Sequence, residues 1–148
     1  MKRIILISLC FIGINATITA GKDRAISIEQ LPQNAKELIN TYFSDLKISY
    51  AKMDKEIFDT SYEVVFTNGS KIEFNRKGNW TDIECRNGIP KEIIPIRIWE
   101  YIHEHHPGQN AIEMELDRGG YEIKLDNGLE MKFDKKFRMR GYDNRNYF

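Results

Sequence analysis

Two stretches 59 positions apart, YEVVFTNGSKIEF at residues 62–74 and YEIKLDNGLEMKF at residues 121–133, spell nearly the same hairpin. Asn68-Gly69 and Asn127-Gly128 mark tight turns, and the flanking residues alternate apolar and polar with the period of a strand. A two-residue Asn-Gly loop would set Phe66 against Lys71 and Glu63 against Phe74, mixing both faces. A three-residue loop pairs Tyr62 with Phe74, Val64 with Ile72, Tyr121 with Phe133 and Ile123 with Met131. One face is then wholly apolar, and Glu122 meets Lys132 while Lys124 meets Glu130. Register follows the buried face, so the longer loop is expected.

The likeness extends upstream. Glu56 matches Glu115, Lys77 matches Lys136, and residues 31–43 correspond to residues 89–102 with a one-residue shift. Each half reads as a helix followed by antiparallel strands. The expected fold class is α+β: two tandem helix-plus-four-stranded antiparallel β-meander repeats, residues 28–86 and 87–145, packed as one domain over residues 21–148. The first helix should begin near Pro32, with Ala35, Leu38, Ile39, Tyr42 and Phe43 as its apolar stripe. The second should begin near Pro95 and end before Pro107, burying Ile98, Trp99, Tyr101, Ile102 and His105. Phe137 stands where the first half has Gly78, so the last turn of the second half is expected to differ, leaving its fourth strand in question.

Residues 1–20 read as a signal peptide. Lys2 and Arg3 precede an apolar run at residues 4–14, and a cleavage point follows Ala20. The run is shorter than the about 20 residues a membrane span needs. Leu9 precedes Cys10 where a lipoprotein would place a small residue, so simple export to the periplasm or beyond is expected, with no membrane span after cleavage. The remaining chain carries 20 basic and 22 acidic side chains, which offers no footprint for nucleic acid. Only Cys85 follows the signal, so no internal disulfide can form.

Motifs for chemistry are sparse. The sequence has no HExxH, CxxC or GxSxG, and no catalytic residue or cofactor is expected. His103, His105 and His106 could suggest a metal, but they leave a helix in different directions and read as its solvated C-terminus. The open sheet face carries more information. With Met53, Ile57, Tyr62, Val64 and Phe66 turned inward, Glu56, Glu63, Glu73, Glu115, Glu122 and Lys132 turn outward with further acids. Glu63 sits opposite Glu73, a like-charge pair that a basic partner or a divalent cation would relieve. Trp80 would serve as an interface anchor if it faced the same way, and the residues alone leave its side open.

Leu-Pro opening a helix at Leu31 and Pro32, together with two Tyr-x-Val/Ile…Asn-Gly…Phe hairpins, resembles the tandem PepSY-like, β-lactamase-inhibitor-like proteins exported by Bacteroidetes. The resemblance covers residues 21–148. It implies the tandem helix-plus-four-strand fold and an envelope location, and it implies no catalytic residues. A non-enzymatic binding module acting on an envelope or secreted protein is therefore the first expectation. A small-ligand or divalent-metal-binding protein is the second, and a hydrolase the last.

Overall fold

The computed structural model describes residues 23–143. The signal-peptide reading, with Cys10, lies outside them. Strands β1 (Arg24–Ile26), β2 (Ile48–Lys55), β3 (Thr60–Phe66), β4 (Lys71–Asn75), β5 (Trp80–Glu84), β6 (Ala111–Leu116), β7 (Gly120–Leu125), β8 (Glu130–Asp134) and β9 (Met139–Asp143) form one antiparallel sheet in chain order. Helices α1 (Gln33–Tyr42) and α2 (Ile96–His105) supply buried residues to its apolar face.

This corrects the expected architecture. The chain is not two tandem helix-plus-four-stranded repeats but one nine-stranded sheet with two helices. The join is β5 on β6, where Asp82 pairs with Glu115, Ile83 with Met114 and Glu84 with Glu113. A first unit ending at β5 would have left that edge's backbone groups unpaired; β6 takes them up. At the other side, β1 adds to β2 as a strand not expected from the sequence. One buried cluster runs from Leu31 and Ala35 of the first helical segment through Ile83 and Met114 to Phe133.

Both hairpins adopt the expected register, Tyr62 opposite Phe74 and Tyr121 opposite Phe133. The Phe66 N–H donates to the Ser70 carbonyl and the Leu125 N–H to the Leu129 carbonyl, each at 2.9 Å, closing three-residue loops. Gly69 and Gly128 take φ of 83° and 86°, where a side chain would be strained. The Asn68 and Asn127 side chains accept from the N–H two residues on, at 2.9 and 3.0 Å.

The turn at Phe137 also departs from expectation. Phe137 adopts φ 61°, close to the 80° of Gly78, and its N–H donates to Asp134 as that of Gly78 does to Asn75, both at 2.8 Å. The Asp134 Oδ1 accepts from the N–H groups of Lys136 (2.8 Å) and Arg138 (3.0 Å), the pattern Asn75 makes with Lys77 and Asn79. The Arg138 N–H, with the Arg138 guanidinium and the Lys136 N–H, holds the Asp134 carboxyl down to about 2 against the opposing effect of burial. These bonds and the packing of Phe137 on Tyr121 (5.4 Å between rings) hold a non-glycine residue in the left-handed region. The fourth strand of that half forms as β9.

Both helices start where proline predicts, after Pro32 and Pro95. Ala35, Ile39 and Phe43 bury the inner stripe of α1, and Ile98 and Ile102 that of α2. Tyr42 and His105 stay exposed, against expectation, because each sits at the edge of its stripe. Ile57 was expected inside; it lies past the end of β2 and is 82% exposed. Among the described residues no helix is long and apolar enough to cross a membrane.

Candidate functional site: the carboxylate face of the sheet

Strand alternation sends every second side chain away from the helices, and the antiparallel register lines these residues up in rows across the sheet. One row reads Lys71, Glu84, Glu113, Lys124, Glu130, Asp143 from β4 to β9. The next reads Lys52, Glu63, Glu73, Asp82, Glu115, Glu122, Lys132 from β2 to β8. With Asp54, the face holds ten carboxylates against four lysines, so it is strongly acidic on a chain of formal net charge zero.

The lysines are all engaged. Lys71 lies 2.8 Å from Glu84, 3.1 Å from Glu73 and 3.6 Å from Asp82. Lys124 bridges Glu113 (3.4 Å) and Glu130 (3.7 Å), Lys132 bridges Glu122 (2.9 Å) and Asp143 (3.2 Å), and Lys52 reaches Glu63 (3.4 Å) and Asp23 (3.3 Å). Desolvation pulls the Lys71 ammonium down, but its bonds to Glu84 and Glu73 outweigh that and hold it well above its ordinary value.

At the centre the balance fails. Asp82, Glu115 and Glu122 stand side by side on β5, β6 and β7, and no cation pairs with Glu115 among the described residues. With Glu84, Glu113, Glu130, Ile123 and the bridged Lys124 they line a shallow cleft of about 270 Å³. Burial pushes the Asp82 carboxyl up to about 6; Lys71 opposes the rise, and Glu84, Glu73 and Glu115 add to it.

A raised carboxyl makes a pH prediction. Below the unfolded value near 4 the protonated group imposes no penalty; as pH climbs through about 6, ionising it in the folded chain lowers stability. Discounted for the water that reaches the cleft, the loss is about 2 kcal/mol. Asp82→Asn should raise the urea-unfolding free energy by that amount at pH 7.5 and leave it unchanged at pH 3.5. A gain equal at both pH values would rule out ionisation as its source.

Of the residues singled out from sequence, Glu63, Glu73, Glu115, Glu122 and Lys132 come together on this face. Glu56 does not; it lies in the β2–β3 turn, beyond the sheet. Trp80 packs on the helix side, its ring 6.3 Å from Tyr121. Asp82 and Glu84, not among the residues expected on this face, line the cleft. A bulge between Glu73 and Phe74 against Trp80 shifts the parity of β5, so counting from Trp80 misplaces them. The alternation of Asp82 and Glu84 with apolar Ile83 and Cys85 was the available signal.

The histidines disperse. His103 stacks on Trp99 at 5.1 Å, His105 stacks on Tyr101 at 4.1 Å with its Nδ1 3.0 Å from the Tyr101 carbonyl, and His106 Nε2 lies 3.2 Å from the Tyr142 hydroxyl. Among the described residues no group of three or more His, Cys, Asp or Glu is arranged to hold a metal ion.

The family described as "Putative beta-lactamase-inhibitor-like, PepSY-like" matches residues 60–140. A crystal structure from Bacteroides vulgatus, described as a "putative periplasmic protein" of the DUF2874 family, superposes with a TM-score of 0.81 at 42% identity, covering 84% of this chain and 99% of that one. A "putative calcium-regulated periplasmic protein" from Bacteroides thetaiotaomicron superposes with a TM-score of 0.79 at 42% identity, covering 82% and 97%. A second structure from Bacteroides vulgatus, described as a "putative periplasmic protein of unknown function", gives a TM-score of 0.77 at 36% identity, covering 82% and 99%. No curated protein shows significant similarity to the chain.

Proposed function

The chain belongs to the PepSY-like, β-lactamase-inhibitor-like family, and from that premise we propose that it is an exported, non-catalytic binding protein of the cell envelope. Its carboxylate face engages the Lys- and Arg-bearing surface of another protein and inhibits or regulates it. The observation that carries this reading is the row of adjacent carboxylates Asp82, Glu115 and Glu122, in which Glu115 has no cation partner among the described residues. Like charges directly across strands destabilise a sheet, and a partner's cation placed over Glu115 would relieve its repulsion with Asp82 on one side and Glu122 on the other. The periplasmic descriptions of the similar structures support the location.

The test is capture from an envelope extract on immobilised wild type beside a Glu115→Lys/Glu122→Lys variant. The reading requires a partner retained by the wild type, at least about tenfold depleted on the variant, and released as salt screens the contact. Equal retention on both would sink it.

A second reading has its own support. One similar structure is described as calcium-regulated, and hard carboxylate oxygens are what calcium selects. Calcium at the cleft would require Asp82, Glu115 and Glu122 to converge from their present positions. Millimolar calcium would then raise the melting temperature of the wild type and not of the variant. Superimposable wild-type curves would eliminate it.

A further inference from the structure

We infer that the end of the sheet formed by the β2–β3, β4–β5, β6–β7 and β8–β9 turns docks on an anionic phospholipid surface, with Ile57 and Phe58 entering its apolar layer. The inference is independent of the carboxylate face. Antiparallel order places these four turns at one end.

Ile57 and Phe58 are the most exposed large apolar residues described, at 82% and 94%. They occupy the two central positions of a turn closed by the Glu56 N–H donating to the Asp59 carbonyl at 2.9 Å. Turns select Gly, Asn, Asp, Pro and Ser at such positions because those residues suit the backbone and the solvent. An Ile-Phe pair helps neither. Both side chains project past the last sheet pair, Lys55 with Thr60, and lie outside the core cluster. Neither the fold nor the turn requires them.

The charges at this end favour phosphate. Lys55, Arg76, Lys77, Arg118, Lys135 and Lys136 are exposed in or beside these turns, and none forms an ion pair among the described residues. On the carboxylate face, by contrast, every lysine is bridged. The exposed acids here are Glu56, Asp59 and Asp117. Two are already engaged with backbone: Asp59 accepts from the Thr60 N–H at 2.7 Å, and Asp117 from the Gly119 and Gly120 N–H groups. The free cations are spread along the turns rather than gathered round one pocket. An acidic pocket on a protein would meet a few of them, whereas a plane of phosphates meets many. Sheet twist tilts successive turns, so Ile57 and Phe58 make first contact with Lys55, Arg76 and Lys77 beside them. Apolar residues below the headgroups and cations level with them make up a peripheral membrane contact.

The test is co-sedimentation with vesicles of phosphatidylethanolamine containing about one-third phosphatidylglycerol, or of phosphatidylcholine alone. The protein is recovered from the periplasm of expressing cells. An Ile57→Ser/Phe58→Ser variant carries the same N-terminus, so any contribution from residues 1–22 cancels. It should melt with the wild type because the two side chains leave the core untouched. The wild type should bind anionic vesicles at least about tenfold more tightly than phosphatidylcholine, and lose that margin in high salt. The variant should bind anionic vesicles at least about tenfold more weakly than the wild type. Failure of the wild type to sediment, or equal binding by the variant, overturns the inference; capture of an acidic protein through Ile57 and Phe58 without vesicle binding overturns it in favour of a protein partner.

Discussion

Gly120→Ala is expected to destabilise the protein by about 3 kcal/mol or more, read from urea unfolding. Gly120 opens β7 at φ 146°, directly opposite Asp134 of β8. A methyl group there would lie 2.0 Å from the Phe133 carbonyl oxygen and under 3 Å from the Asp134 backbone. These are ladder atoms, not the end of a flexible side chain. Either β7 and β8 part at this pair, or Gly120 gives up the exchange in which its N–H donates to Asp117 Oδ1 and its carbonyl accepts from the Asp117 N–H. Gly119→Ala supplies the internal control, because its added methyl group meets only the Asp117 side chain, at 3.2 Å. A loss under about 1 kcal/mol, as expected for Gly119→Ala, would show at Gly120 that the two strands separate easily.

The second large effect tests the continuity of the sheet. Ile83 on β5 is fully buried, paired with Ile72 on one side and with fully buried Met114 of β6 on the other. Ile83→Ala removes three carbons from that seam and should lower stability by about 3 kcal/mol. The transition should nevertheless stay single. Trp80 reports from β5 and Trp99 from α2, so fluorescence and circular dichroism should fall together. Two separated transitions would mean that the segments on either side of the seam unfold independently, contrary to a shared core.

Legibility in the sequence tracked how local each determinant is. The hairpins could be read to the residue because Asn-Gly sets the turn and a period of two sets the face, within about a dozen positions. The helix starts followed from Pro32 and Pro95. The faces of β5 could not be counted from Trp80, because a bulge opposite Phe74 changes parity only once the partner strand is in place. Nor could β9. Phe137 in a left-handed turn looks like a broken pattern until Asp134 is seen gathering the N–H groups of Lys136 and Arg138. β1 has three residues and no signal of its own; it exists because β2 offers an edge.

The same division runs through the candidate site. Glu63 and Glu73 are partners within the first hairpin and Glu122 and Lys132 within the second, and the sequence by itself determined both pairs. Asp82 beside Glu115 joins strands separated by a helix, and only the tertiary structure decided it. No local preference selects which of several apolar-faced strands will meet across such a gap. That choice is made by burying Ile83 against Met114 and pairing the exposed edges of β5 and β6, and the carboxylates on the other face are carried together as a consequence.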